Sequence, residues 1–265
     1  MAQRTRDIIV DIINNSVEES NRSDVLTKYR DPVIGFASAE DELFNTVSNV
    51  IGYPVLHPKE LLPEAKTVVS FFIPFNEMVI KYARKRPSFT NQEWGLAYYE
   101  LNLLISRIMT SIVEKMTEIG VKAVKEPVTE NYDPVELTVK WPHKSAGYIA
   151  GLGTFGKNRL LITPLGCAGR LGSVIISEAI TPTKRPETEN CAYLKNGTCG
   201  VCIKTCPTQA LRYNSFSRFT CNTHTQMRDE PSYFDRGCCR CSTGYCSTFR
   251  EPLAGHDIWI GRKKV

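Results

Sequence analysis

Nine of the ten cysteines in this 265-residue chain lie between Cys191 and Cys246, about a fifth of its length. So many thiols in so short a stretch must end in disulfides, on metal, or both. The centre of the run reads Cys199-Gly-Val-Cys202-Ile-Lys-Thr-Cys206-Pro207. Three thiols at x2 and x3 spacing, closed by Cys-Pro, form the loop that wraps a four-iron, four-sulfide cubane. The proline turns the chain away, so the last thiolate serves a second cluster. A partner motif is therefore required downstream. Cys221 and Cys238-Cys239-Arg240-Cys241-Ser-Thr-Gly-Tyr-Cys246 supply it.

Each 4Fe-4S cluster takes four thiolates. Crossed ligation assigns Cys191, Cys199, Cys202 and Cys246 to one, and Cys206, Cys221, Cys238 and Cys241 to the other. Cys238 is taken over Cys239 because it keeps the x2 spacing to Cys241. Cys191 stands further from Cys199 than a standard loop has it, which is tolerable because closure entropy grows slowly with length. Disulfides need an oxidising compartment. Zinc also favours Cys-x2-Cys pairs, and His224 lies nearby, but zinc explains neither the Cys-Pro ending nor the interlocked second motif.

The rest of the composition is that of a soluble globular protein: 42% hydrophobic and 23% charged, with a net charge of +5. The charge permits an acidic partner or tRNA without demanding one. No apolar run has the length of a membrane span. Met-Ala-Gln-Arg-Thr-Arg-Asp lacks the apolar centre of a secretory signal. With oxygen-sensitive ligands, this points to the cytoplasm and to no membrane.

Ahead of the cysteines, Ile8, Ile9, Ile12, Ile13 and Val17 mark an amphipathic helix over Asp7–Glu19. Val33–Ala37 reads as a short strand, 41–58 as helix then loop, and Thr67–Ile73 as a strand apolar on both faces. Thr90-Asn-Gln-Glu93 is a capping box for a long helix whose apolar face runs from Trp94 to Ile119. Val121–Lys125 and Val174–Ile180 are further strands, with a polar loop over 126–136 and a linker over Thr181–Asn190. Alternating strands and helices predict an α/β (α+β) layered core over 1–182. A C-terminal ferredoxin-like double-cluster domain follows over 183–265.

The second informative stretch is Trp141-Pro-His143-Lys144-Ser-Ala-Gly-Tyr148-Ile-Ala-Gly151-Leu152-Gly153-Thr-Phe-Gly156-Lys157-Asn158. Its glycines permit positive φ and close approach of backbone to a ligand. Gly151-x-Gly153-x-x-Gly156 formally matches a dinucleotide fingerprint, but that motif needs a strand before it, and 143–150 reads as a helix. The plain reading is a tight helix-to-strand turn.

Ala150-Gly-Leu-Gly-Thr-Phe-Gly-Lys-Asn-Arg-Leu-Leu-Ile-Thr163, then Leu171-Gly-Ser-Val-Ile175 and the double-cluster motif, resembles epoxyqueuosine reductases and their relatives. The resemblance covers Val33 to about Glu251. It implies a reductase-like scaffold shared with reductive dehalogenases, which cradles cobalamin beside two 4Fe-4S clusters. On that basis Gly151, Leu152, Gly153, Gly156, Lys157 and Asn158 are candidate cofactor-binding residues. The tRNA-modifying members are longer and carry an aspartate proton donor upstream of the glycines. Here the stretch reads Leu137-Thr-Val-Lys-Trp-Pro-His143-Lys144, without an acid. The chain looks like a shorter, divergent branch.

A reductase needs a proton donor, and His143 is the candidate by type, with Tyr132, Asp133 and Tyr148 as neighbours of suitable chemistry. Lys144, Lys157 and Arg159 suit a phosphate or carboxylate. Two readings stand. One is an oxidoreductase that passes low-potential electrons through two clusters to a cofactor or substrate in the core, fed by a ferredoxin or flavodoxin. The other is an electron-transfer protein of ferredoxin type serving a partner enzyme. The first predicts a pocket lined by Gly151–Asn158, and the second a filled core there. The substrate would be a small molecule or tRNA-borne. The basic run Lys81–Arg86 suits tRNA, though such runs are usually solvated. Cys167, outside the cysteine run, reads as a small buried residue.

Overall fold

A computed structural model describes residues 2–23, 27–85, 92–128, 131–226, 238–248 and 258–264. The first half places α1 (Ala2–Arg22), β1 (Val33–Ser38), α2 (Leu43–Ile51), α3 (Pro58–Leu61), β2 (Thr67–Pro74), α4 (Glu77–Lys85), α5 (Gln92–Glu118) and β3 (Ala123–Lys125). Hairpin β4–β5 (Tyr132–Asp133, Thr138–Val139), α6 (His143–Ile149), hairpin β6–β7 (Thr154–Phe155, Leu161–Ile162) and β8 (Gly169–Ile176) follow. The cysteine region holds α7 (Ala192–Asn196), α8 (Val201–Lys204), α9 (Arg218–Gln226) and 3-10 turns at Arg240–Ser242 and Tyr245–Thr248. Strands β9 (Trp259–Ile260) and β10 (Lys263–Lys264) complete the described chain.

The main sheet has the order β10-β9-β1-β2-β8-β3, and every pairing in it is antiparallel. Side-chain alternation sends Ile34, Phe36, Val69, Phe71, Ile73, Val174 and Ile176 to one face, under α1 and α5. Ala37, Val68 and Ile175 point the other way, beneath α2 and α6. Helices on both faces explain why β2 is apolar throughout, with all eight residues buried. The architecture is thus a mixed helix–sheet fold layered around an antiparallel sheet. Among the described residues no helix is long and apolar enough to cross a membrane.

Several local expectations shift. Strand β8 begins at Gly169 and ends at Ile176, earlier than the apolar run 174–180, because its polar start pairs along the full length of β2. Helix α4 lies in a stretch to which the sequence reading assigned no element, and β4 falls in the expected polar loop 126–136. The capping residue Thr90 and Arg86 lie outside the described residues, as does the His224 side chain.

The expected linker is laid against β1. The Thr183 N–H donates to Phe36 O at 2.8 Å, and the Phe36 N–H donates to Thr183 Oγ1 at 3.0 Å. The chain beyond residue 182 also returns to the sheet, where β9 pairs with β1. Arg84, on α4, reaches the second cysteine motif: Nε donates to Thr243 O at 2.6 Å and Nη2 to Gly244 O at 2.8 Å and Ser247 Oγ at 2.6 Å. That member of the basic run faces inward as a clamp.

Candidate functional site: a glycine loop packed on thiols

All ten cysteines are free. Several of them raise one another's pKa values, with Cys202 and Cys241 linked across the run. Burial pushes Cys202 up to about 11, and Cys246, Cys191 and Cys199 push in the same direction. Burial raises Cys221 too, followed by Cys238 and Cys206. Cys241 is pushed up to about 12 by burial, then by Cys238, Cys221, Cys202 and Cys206. Thiolates crowded this way repel unless cationic iron neutralises them. Among the described residues no three His, Cys, Asp or Glu side chains converge on a single metal ion. A cubane spreads its thiolates over separate irons, so its ligands surround a space instead of meeting at a point.

N–H groups aim at several sulfurs. Lys157 N lies 3.5 Å from Cys191 Sγ and Leu211 N lies 3.4 Å from Cys206 Sγ. Asn158 Nδ2 lies 3.8 Å from Cys246 Sγ and donates to Cys241 O at 2.9 Å. N–H donors to sulfur are one of the levers by which proteins tune iron–sulfur clusters. The thiol groups and their donors fit two cubanes.

The glycine run serves this packing. A Cβ at Gly153 would collide with Ile162 O, and one at Gly156 would lie 2.6 Å from Asn158 Oδ1. Gly151, at φ +77°, would bring a Cβ to 2.9 Å from Lys184 O. The chain itself fills every space those missing side chains leave. The three glycines are therefore explained by close contacts within the chain. Two cavities stand out among the described residues; one is an open groove of about 360 Å³ between α1 and α5, bordered by Ile8, Asp11, Ser111 and Glu114. The other is a crevice of about 10 Å³ beside Trp141. Neither is lined by Gly151–Asn158. Lys157 N and Asn158 Nδ2 instead face the sulfurs of Cys191 and Cys246, at 3.5 and 3.8 Å.

His143 is built into the core, at 8% exposed. Its Nδ1 lies 2.7 Å from Ser173 Oγ, which also accepts from Trp141 Nε1 at 2.8 Å, and its Nε2 lies 3.4 Å from Pro127 O. A neutral ring with hydrogen on Nε2 satisfies all three contacts: Trp141 donates to Ser173, Ser173 to Nδ1, and Nε2–H to Pro127. Burial lowers its pKa to about 4, so at neutral pH it has no proton to give beyond the one held by Pro127. The histidine is a packing residue; its sequence neighbours gave no sign of burial. Asp133 accepts from Val135 N and Glu136 N, which lower its pKa and make it a turn former. Tyr132 is 40% exposed, its pKa raised by burial, then by Asp133 and Tyr98. Tyr148 packs on Phe155 instead.

Lys144 holds the position next to these. It keeps solvent contact, yet surrounding chain lowers its pKa by burial, then through Arg170, while Cys241 pulls it up, Arg159 lowers it and Cys221 raises it. Lys144 Nζ donates to Arg159 O at 3.2 Å, and Arg159, though not a glycine, has a positive φ of +62°. Arg170 stacks over Tyr98 at 4.2 Å and donates to Asn102.

Sequence reasoning read Cys167 only as a small buried residue and Arg84 only as part of a basic run. Cys167 Sγ stands 3.7 Å from Cys246 Sγ, 79 residues away in sequence. No spacing rule could have joined them.

The chain matches no protein-family profile. It is 26% identical over 195 residues to epoxyqueuosine reductase of Listeria monocytogenes, an alignment covering 73% of this chain and 44% of that protein. The chain spans less than half the length of the curated relatives it matches. A crystal structure of epoxyqueuosine reductase with an epoxyqueuosine-modified tRNA stem loop superposes with TM-score 0.53 at 20% identity, over 88% of this chain and 64% of that one. A reductive dehalogenase whose structure suggests a mechanism for B12-dependent dehalogenation gives TM-score 0.58 at 16% identity, over 83% of this chain and 30% of that one. The chain resembles the epoxyqueuosine reductases in sequence and shares its fold with them and with the reductive dehalogenases.

Proposed function

We propose that the chain is an iron–sulfur reductase. Cys191, Cys199, Cys202 and Cys246 hold one 4Fe-4S cluster in this reading, and Cys206, Cys221, Cys238 and Cys241 a second. Single electrons reach an oxidised substrate bound beside Lys144. The observation that carries the reading is the set of N–H groups aimed at the thiols: Lys157 N 3.5 Å from Cys191 Sγ, Leu211 N 3.4 Å from Cys206 Sγ and Asn158 Nδ2 3.8 Å from Cys246 Sγ. Lys144, whose Nζ donates to Arg159 O at 3.2 Å, and Arg159 itself are cations beside this loop and suit a substrate with anionic or polar groups.

When bound, the clusters supply low-potential one-electron transfer. The residues of the chain do the rest. The N–H groups of Lys157, Leu211 and Asn158 offset charge on the thiolates. Lys144, Arg159 and Arg170 hold the substrate, with Tyr98 and Tyr132 beside them. A ferredoxin or flavodoxin is the electron donor. The similarity to epoxyqueuosine reductases makes a tRNA-borne epoxide the first substrate to try. The missing aspartate keeps a small-molecule substrate in view.

The test is anaerobic. The chemically reduced protein is offered an epoxyqueuosine-bearing stem loop, with and without cob(II)alamin, and both the product and cluster reoxidation are followed. Substrate-dependent reoxidation, impaired in Lys144→Ala at unchanged iron content, is expected. Reoxidation only by an added redox protein, with no substrate consumed, would return the carrier reading.

A further inference from the structure

The glycine loop and the strand after it bring two buried donors to one sulfur. Asn158 and Cys167 are 6% and 4% exposed. Cys167 Sγ lies 3.7 Å from Cys246 Sγ, with Asn158 Nδ2 3.6 Å from the first sulfur and 3.8 Å from the second. The arrangement is held at both ends. Cys167 N–H donates to Cys246 O at 2.9 Å, and Asn158 Nδ2 to Cys241 O at 2.9 Å. Gly166, at φ +96°, lies flat on Ser247, where any side chain would strike the Ser247–Thr248 backbone. One amide hydrogen of Asn158 thus serves Cys241 O, and the other lies between the two sulfurs. The remaining acceptor near the Cys167 S–H, Ser242 O, is further off at 4.0 Å. Cys246 Sγ is the better target for that hydrogen.

We propose that Cys167 and Asn158 act as a linked pair of donors to the Cys246 thiolate and set the reduction potential of the cluster that Cys246 serves. The inference rests on the reading of Cys246 as a ligand. Reduction adds one electron, supplied by the external donor, and no proton moves: the added negative charge spreads onto the thiolate sulfurs, where an S–H and an N–H stabilise it. Hydrogen bonds to cluster sulfurs are an established lever on potential, and linked donors reinforce one another in a dry setting. Cys167 is in this sense a positioning residue, a fifth thiol that tunes without ligating.

The experiment is a mediated redox titration by electron paramagnetic resonance on the full chain, reconstituted anaerobically, comparing wild type, Cys167→Ala and Cys167→Ser. Each should retain about eight irons per chain. The alanine variant should shift one midpoint to lower potential and leave the other where it was, and the serine variant, which restores a donor, should recover part of the shift. Unmoved midpoints at full iron content in both variants would overturn the inference. So would loss of half the iron in Cys167→Ala together with full iron in Cys246→Ala, since Cys167 would then be the ligand. Failure of the underlying reading looks different: wild type would not take up about eight irons, or Cys246→Ala would keep both signals unchanged.

Discussion

The backbone N–H of Lys157 lies 3.5 Å from the sulfur of Cys191, which makes the glycine loop and the first cysteine of the run one structural unit. The glycines are the condition for that contact, because Gly153 lets the loop lie directly on Ile162. Gly153→Ala should therefore displace the loop, costing about 1–3 kcal/mol as overpacking does, and should speed iron loss to a chelator. Gly244→Ala, whose Cβ would lie 3.5 Å from Val201, is the control and should behave as wild type.

Arg84 ties the second cysteine motif to α4 through three hydrogen bonds. Hydrogen bonds to a charged donor contribute about 1.5–3 kcal/mol each in favourable cases. Arg84→Ala should lower stability by about 2–3 kcal/mol in denaturant unfolding. Arg84→Lys should recover little, because one ammonium cannot copy the two-pronged guanidinium contact.

His143 gives a pH signature with a definite sign. Its pKa falls from an ordinary 6.5 to about 4 in the fold, so the unfolded chain binds the extra proton between those values. Its effect on stability is nil above about 6.5 and grows unfavourable as pH drops toward 4, to on the order of 3 kcal/mol. Replacing it with glutamine should flatten the fall in unfolding free energy between pH 6.5 and 4. An unchanged slope would show that the ring is protonated in the folded protein.

Cys239 is 5% exposed and packs in the main core with Ile105 and Phe71. Cys239→Ala should leave about eight irons per chain, whereas Cys202→Ala should leave about four. Equal iron loss in the two variants would remove Cys239 from its place as the spare thiol.

The cysteine cluster was legible in sequence because short Cys spacings constrain local geometry. Helices α1, α5 and α6 and strand β2 were legible from periodicity. What escaped has a common cause. The start of β8, Gly-Arg-Leu-Gly, is extended only because β2 offers partners over its whole length. His143 looked like a proton donor by type, and only tertiary packing against Ser173 and Pro127 makes it a neutral core residue. The glycine run was noticed for closeness to a ligand, but the close approach is to Ile162 and Lys184, within the chain itself. Cys167 was read as buried, and its neighbour Cys246 is a long-range contact that spacing cannot encode.

The most direct test of the two-cluster account is which thiols share a cluster. Cys202→Ala, Cys206→Ala and Cys246→Ala should each retain about four irons per chain, and the surviving reduced-state paramagnetic resonance spectrum identifies what is left. The account predicts that Cys202→Ala and Cys246→Ala leave the same spectrum and that Cys206→Ala leaves the other. If Cys202→Ala and Cys206→Ala match each other while Cys246→Ala differs, ligation is sequential along the chain and the crossed arrangement is wrong.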